Sequence, residues 1–361
     1  MKAYLFGWNP LKFKWADLDD DIKKLAETGH LEDNWSVISH KSIKPGDRAY
    51  IVRLGVDEEA VRTSPLFVGA AQWGRFHRAY YYNEGFASIQ REFKRGISGR
   101  LAFRYWTFDP TYAFGFQQDP TDLNSPVLDQ FETSEVFAEA RYARNETFIQ
   151  NGNERISLGN GNWPALTFRY THGIKGILGS DFNYDKVLLN IKQRLSMGPL
   201  GAAYINIDGE YIFNDLPYPL LSVHLGNQAP VYSAFTFNLM NYGEFVSDKS
   251  VSMHYRQYFE GLIVNRIPLM NRLKWRLVGT ANLIYGSLRN SNQALIASST
   301  PSGDPALKTG FFTPGKPYVE LGYGVENIFK FFRVDFVHRL NYLDGPDVRK
   351  FGVLLTMQFR L

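Results

Sequence analysis

Lys350-Phe351-Gly352-Val353-Leu354-Leu355-Thr356-Met357-Gln358-Phe359-Arg360-Leu361 is the stretch that decides how the rest of the chain is read. Phe351, Val353, Leu355, Met357, Phe359 and Leu361 fall on one face of a strand. Gly352, Leu354, Thr356, Gln358 and Arg360 fall on the other. Side chains in a strand point to opposite faces with a period of two, so one face is unbroken apolar surface and the other is mostly small or polar.

Working outward, the same grammar fills most of the chain. Candidate strands lie at 86–94, 99–107, 134–142, 163–172, 184–195, 201–213, 232–245, 249–259, 274–286, 316–327, 331–341 and 350–361. Many reach ten residues, where soluble strands average five or six and strands tilted through a bilayer need roughly nine to eleven. Around Phe332, the residues Phe332, Val334 and Phe336 alternate with Arg333, Asp335 and Arg339. In 203–213, Ile205, Ile207, Tyr211 and Phe213 alternate with Tyr204, Asn206, Asp208 and Glu210; in 318–326, Glu320 and Glu326 alternate with Val319, Leu321, Tyr323 and Val325. This pattern predicts an all-β, antiparallel transmembrane β-barrel of about twelve strands over residues 86–361. A soluble β-sandwich also alternates and is the competing architecture.

Composition agrees with the barrel. Aromatics make up 16% of the 361 residues, with 28 Phe and 21 Tyr, as expected for lipid-facing strands with aromatic girdles. No apolar run approaches the roughly 20 residues of a spanning helix, so a membrane role requires strands. Cysteine is absent, which excludes disulfides, thiol catalysis and cysteine-rich metal sites. Residues 1–74 hold 10 Lys and Arg against 11 Asp and Glu, and the remainder 30 against 25. Neither part is basic enough to argue for nucleic acid on bulk charge.

The first 74 residues read differently, as a small α/β segment. Residues 3–8 form a strand stopped by Asn9-Pro10, 17–28 a helix ending at Gly29, and 48–54 a second strand. Residues 75–85 are the junction. Met1 to Trp8 has neither the apolar length nor the cleavage site of an export signal. The outer membrane is therefore the expected location, with the route of export unexplained.

The blocks Tyr170-Thr171-His172-Gly173-Ile174-Lys175-Gly176, Leu216-Pro217-Tyr218-Pro219-Leu220-Leu221, Phe237-Asn238-Leu239-Met240-Asn241 and Gly324-Val325-Glu326-Asn327-Ile328 occur in this order. Over about residues 82–361 the chain resembles the C-terminal barrel of a Bacteroidota outer-membrane family of unassigned function. Its members usually carry a carboxypeptidase-regulatory-like domain ahead of the barrel. More loosely, the layout is similar to the surface-antigen barrels of the outer-membrane assembly superfamily. Tyr4-Leu5-Phe6-Gly7-Trp8-Asn9-Pro10, Asp33-Asn34-Trp35-Ser36 and Ile43-Lys44-Pro45-Gly46-Asp47-Arg48 resemble the opening of PUA-like, EVE-type domains, which read modified bases. That resemblance implies Trp8, Asn9, Trp35 and Ser36 as a nucleic-acid pocket; as core residues of a small sheet, Trp8 and Trp35 need no ligand. The two resemblances belong to different compartments, so a fusion, natural or artificial, joined between about 56 and 86 is expected; a gene-prediction or assembly artefact would read the same.

No nucleophile elbow or phosphate-binding loop occurs, and the seven histidines are scattered. The reading is of a non-enzymatic pore, receptor or assembly component with no cofactor and no metal. Its alternatives are a modified-base or RNA-binding module in 1–74 and a soluble all-β binding protein. Expected partners are outer-membrane lipid and the barrel assembly machinery, with nucleic acid only through the N-terminal segment. Lumen-facing charges expected to tune what passes are Lys192, Arg194, Asp208, Glu210, Glu320, Glu326, Arg333, Asp335 and Arg339. Asp208 and Glu210 are expected to meet a base such as Arg333 or Arg339. His224-Leu225-Gly226-Asn227-Gln228, after Pro217 and Pro219, folds inward as a plug or stays an ordinary loop.

Overall fold

The structure is a computed structural model that describes residues 3–6, 48–58, 80–110, 112–117, 125–151, 154–241, 243–260, 270–306, 310–312, 315–345 and 348–357. The expected helix at 17–28, the pocket candidates Trp8, Asn9, Trp35 and Ser36, and the end of the last strand lie outside the described residues.

Strand follows strand. β1 (Ala3–Phe6) and β2 (Arg48–Glu58) precede the long pair β3 (Tyr80–Lys94) and β4 (Ile97–Pro110). Short β5 (Phe116–Gln117) and β6 (Val127–Leu128) interrupt the connection to β7 (Phe131–Ala143). A small hairpin, β8 (Thr147–Asn151) and β9 (Glu154–Gly159), leads to β10 (Ala165–Gly173), β11 (Tyr184–Ser196) and β12 (Ala202–Ile212). β13 (Ser222–Val223) and β14 (Phe245–Ser247) come before β15 (Lys249–Glu260) and β16 (Arg276–Ser287). β17 (Gly310–Phe311), β18 (Tyr318–Ile328), β19 (Phe332–Arg339) and β20 (Phe351–Met357) complete the order. Helix among the described residues is limited to short pieces such as α1 (Met270–Leu273) and α2 (Asn290–Ala294), and none is long and apolar enough to cross a membrane.

Thirteen strands make one sheet in the order β1-β2-β3-β4-β7-β10-β11-β12-β15-β16-β18-β19-β20. Every neighbouring pair is antiparallel except β1 and β2. Two expectations are corrected. The edge strands β1 and β20 are not hydrogen-bonded to each other among the described residues, so the sheet is open where a closed barrel was expected. Closure is a pairing between strands far apart in sequence, and no local pattern encodes it. The second correction is residues 232–245: those described form no strand of the large sheet but turn back across it, and Phe245 enters β14 of the small three-stranded sheet.

The sheet curls. Phe116 bridges Ile296, and Gln117 N–H donates to Leu295 O at 2.9 Å, joining the β4–β7 connection to the β16–β18 connection. β4 and β16 stand six places apart in the sheet order; laid flat they would be roughly 30 Å apart.

Burial along the strands is inverted relative to a soluble sheet. In β19, Arg333, Asp335, Val337 and Arg339 are buried, while Phe332, Val334 and Phe336 are only partly covered. In β20, Phe351, Val353, Leu355 and Met357 are all about half exposed. Leu101, Phe168, Leu189, Val251, Leu321 and Tyr323 repeat this around the sheet. The covered face packs on the connections, which supply the apolar cores. Trp106, Phe108, Phe131 and Tyr184 of the strands meet Phe114, Phe116, Leu216, Tyr218 and Leu220 of the connections.

Candidate functional site

The connection between β12 and β15, residues 214–248, lies on the charge-bearing face. Its sequence explains why it leaves the ladder. Pro217 and Pro219 have no amide hydrogen to give a neighbouring strand, and a single 3-10 turn forms at Tyr218–Leu220. Leu216, Tyr218, Leu220 and Leu221 then become an anchor buried in the largest core. Four polar bonds fix this root. Leu216 N–H donates to Asn292 Oδ1 at 2.8 Å, Lys186 Nζ to Leu220 O at 2.5 Å and Ser222 Oγ to Glu210 at 2.5 Å. Arg289 donates to Asp248 Oδ2 at 2.8 Å.

Beyond the root the segment doubles back on itself. β13 pairs with β14, and Gly226 bridges Phe237. A Cβ on Gly226 would stand 2.4 Å from the carbonyl oxygens of Met240 and Asn241, so no other residue fits this crossing without moving it. Asn238 holds the fold from inside: its Oδ1 accepts from Asn227 Nδ2 and from Ser233 N–H, both at 2.9 Å.

His224 is buried here with Nε2 at 2.7 Å from Ser247 Oγ. Burial pushes its pKa down to about 3, so the seated ring is neutral. A freed imidazole titrates near 6.5. Because the seated value is the lower one, the seat is fully stable above about 6.5 and loses stability as pH falls through that value. Hydrogen–deuterium exchange over 222–240, corrected for intrinsic rates, is expected to speed up between about pH 7.5 and 5. His224→Gln should flatten this response; unchanged pH dependence in the variant would remove His224 as its source.

The tip of the segment meets charges presented by the C-terminal strands. Both Glu320 oxygens accept backbone amides, Oε2 from Asn238 at 2.8 Å and Oε1 from Leu239 at 2.7 Å. Tyr318 OH donates to Oε1 at 2.6 Å. Arg339 forms a two-pronged pair with Glu244, at 2.7 and 3.1 Å. The Tyr232 ring sits between two guanidiniums, Arg256 at 5.1 Å and Arg333 at 4.8 Å from its centroid. Arg333 is itself held by Asp335 at 2.5 and 2.7 Å. On the edge strand, Leu355 N–H donates to Pro230 O at 2.9 Å, and Arg349 reaches Asn227 O. Segment and sheet are thus joined from β11 to β20.

The register places the nine sequence-predicted charges on the segment's face. Lys192, Asn206, His254, Asn282, Glu320 and Arg339 form one row across six adjacent strands. Arg194 heads the next row with Tyr204 and Arg256. Glu320, Glu326, Arg333, Asp335 and Arg339 are buried, whereas Lys192 and Arg194 stay exposed. The expected partners differ. Asp208 accepts from Asn190 at 2.6 Å and Asn206 at 2.5 Å, and Glu210 from Ser222. Three strands separate β12 from β19, and the segment occupies the space between, so Arg333 and Arg339 find carboxylates elsewhere.

Asn238 and Leu239 stand in the sequence only as part of the Phe237–Asn241 block, and Tyr232, Glu244 and Arg256 carry no mark of their role. The one other signal is the cluster of Asn227, Pro230, Asn238 and Asn241, which suits turns better than a central strand. A second charged cluster lies toward β3. Arg104 meets Glu135 at 2.7 Å, Tyr184 OH donates to Glu135 at 2.7 Å, and Arg169 pairs with Glu139 at 2.5 Å. Among the described residues no group of three or more His, Asp or Glu is arranged to hold a metal ion.

No curated protein matches this sequence. Among solved structures, BamA from Haemophilus ducreyi lacking POTRA domains 1–3 is similar with a TM-score of 0.46 and 10% identity. The match covers 86% of this chain and 62% of that one, so the chain spans less than two thirds of that protein's length. Residues 103–293, from the middle of β4 into α2, match the C-terminal domain of a family of unknown function, DUF5686. This stretch holds the Pro-rich root, the doubled-back segment and more than half of the chain, and through it the protein belongs to the DUF5686 family.

Proposed function

We propose that this is a non-enzymatic outer-membrane β-barrel protein whose interior is stoppered by residues 214–248. One observation carries the reading: charges are buried on one face of the sheet, and large apolar side chains are exposed on the other. Leu321, Tyr323, Phe351, Val353 and Leu355 are 45–57% exposed while Glu320, Arg333 and Asp335 are at most 1% exposed. In water this arrangement is unfavourable, since an apolar face of this extent calls for a partner. In lipid it is the stable one. A soluble sandwich would bury that face between two layers, and among the described residues nothing covers it.

A bilayer also requires that sheet edges be satisfied, because unpaired backbone groups in hydrocarbon cost several kcal/mol each. The reading therefore has the edge of β20 paired when the protein is in a membrane. The stopper favours a gated transport or receptor role over a permanently open pore. In this reading the chain does its work by binding and gating, without covalent chemistry.

Val353→Arg tests the reading. Val353 is 54% exposed. An exposed surface position in water tolerates such a change within about 0.5 kcal/mol, whereas arginine on a lipid face near the midplane costs about 2–4 kcal/mol. The variant is expected to fold into vesicles with that loss, read by urea titration of its heat-modifiable gel shift. Wild-type-like titration, or a monodisperse wild type without detergent, would overturn the membrane assignment.

A further inference from the structure

Antiparallel order puts the connections after β3, β7, β11, β15 and β18 at the end of the sheet opposite the root of the inward segment. Each of the five pairs an exposed apolar side chain with an exposed cation. Phe93, 67% exposed, precedes Lys94 and Arg95. The Arg144 guanidinium lies 4.1 Å from the Trp163 ring centroid. Exposed Met197 and Leu200 follow Arg194, and exposed Leu273 stands between Arg272 and Lys274. Phe329, 81% exposed, and Phe331 flank Lys330.

The acids nearest this rim are mostly engaged. Glu92 accepts from Gly96 N–H at 3.1 Å, and Arg141 grips Glu146 at 2.6 and 2.7 Å; among the acids whose burial is described there, Glu260 is exposed. The opposite end instead carries exposed Asp109, Asp129, Asp181, Asp215, Asp304 and Asp344 among its lysines. The two ends thus differ in sign, and the connections after β3, β11 and β18 at the cationic rim span five residues or fewer, where each at the opposite end spans ten or more.

We propose that the short-turn rim is a binding surface for the headgroups of anionic glycerophospholipids. The proposal rests on the barrel reading and names a lipid partner for one end of it. Short turns face the periplasm in such barrels, so the leaflet concerned is the periplasmic one. Rings and alkyl chains insert at the level of the ester groups, where amphipathic and aromatic side chains settle. The cations beside them then meet the phosphates, and each basic residue near an anionic surface contributes enough to enrich its lipid about fivefold.

The test uses the full chain in phosphatidylcholine bilayers containing a minor fraction of brominated lipid. The signal is the quenching of Trp163, taken as the difference from the Trp163→Phe variant. Brominated phosphatidylglycerol is expected to quench at least about fivefold more strongly than brominated phosphatidylcholine at equal mole fraction. The preference is expected to vanish when Lys94, Arg95, Arg144, Arg272, Lys274 and Lys330 are all changed to Gln. It should also survive added inorganic phosphate at constant ionic strength. Equal quenching by the two lipids in an inserted protein overturns the proposal alone, as does a preference abolished by inorganic phosphate, which marks a free-anion site. A chain that inserts into neither bilayer overturns the barrel reading and the proposal with it.

Discussion

Replacing residues 222–244 with a short Gly-Ser bridge is expected to turn an electrically silent bilayer into one with discrete current steps. The wild-type segment fills the space in front of β15 to β20, packing Phe237, Met240 and Phe245 against Ile284 and Tyr318, and Leu239 against Val337 and Leu354. Ions crossing that space must displace side chains packed as in a protein interior. The bridge leaves the root at Leu216 and Leu220 in place, so the core shared by β4, β7 and β11 is kept. Two milder variants bracket the result. Gly226→Val forces the doubled-back crossing apart, because its side chain must enter the space of the Met240 and Asn241 carbonyls. Glu320→Gln leaves one seating amide a neutral acceptor and sets a donor NH2 against the other, and hydrogen bonds to charged groups are roughly twice as strong. Brief openings are expected from Glu320→Gln and longer ones from Gly226→Val. A wild type that conducts as freely as the bridged variant would eliminate the stopper.

Asp335→Ala should be the most destabilising single substitution among the buried charges. Arg333 and Asp335 are both at most 1% exposed and share two short hydrogen bonds. Removing the carboxylate leaves a buried guanidinium without its counter-charge, and breaking a buried pair in this way costs about 3–5 kcal/mol. Arg333 retains Tyr258 OH at 3.4 Å and the faces of the Tyr232 and Tyr258 rings. The double variant Arg333→Met/Asp335→Leu removes both charges together and is expected to recover most of the loss, since well-packed apolar replacements are often neutral or better. Urea titration of vesicle-inserted protein measures both. A loss below about 1 kcal/mol for Asp335→Ala would mean that water reaches the pair. The double variant also removes one of the two cations on Tyr232, so its segment should exchange amide hydrogens faster even where global stability is restored.

Much of the sheet is legible in the sequence because strand grammar is local. Eleven of the twelve expected strands are present, with ends that differ by a few residues. The exception is instructive. Tyr232 to Phe245 has the apolar content of a strand, yet Asn238 spends its amide on Asn227, Ser233 and Thr236 within the segment. A side chain that satisfies neighbouring backbone competes with the ladder, and periodicity does not register that competition. Partner choice was equally hidden. Nothing near Arg339 in sequence announces Glu244, 95 residues away.

Which face of each strand carries charge and which carries apolar surface follows from the order of neighbouring residues alone. A period of two is imposed by backbone geometry and can be read from a few consecutive residues, as in Arg333, Asp335 and Arg339 against Phe332, Val334 and Phe336. What those charges hold is set by the folded arrangement. The inward segment, its bonds to Glu320 and Arg339, and the curl of the sheet all depend on contacts between residues distant in the chain. Such contacts form only once loop entropy is overcome by many of them together, and no short stretch of residues carries that information.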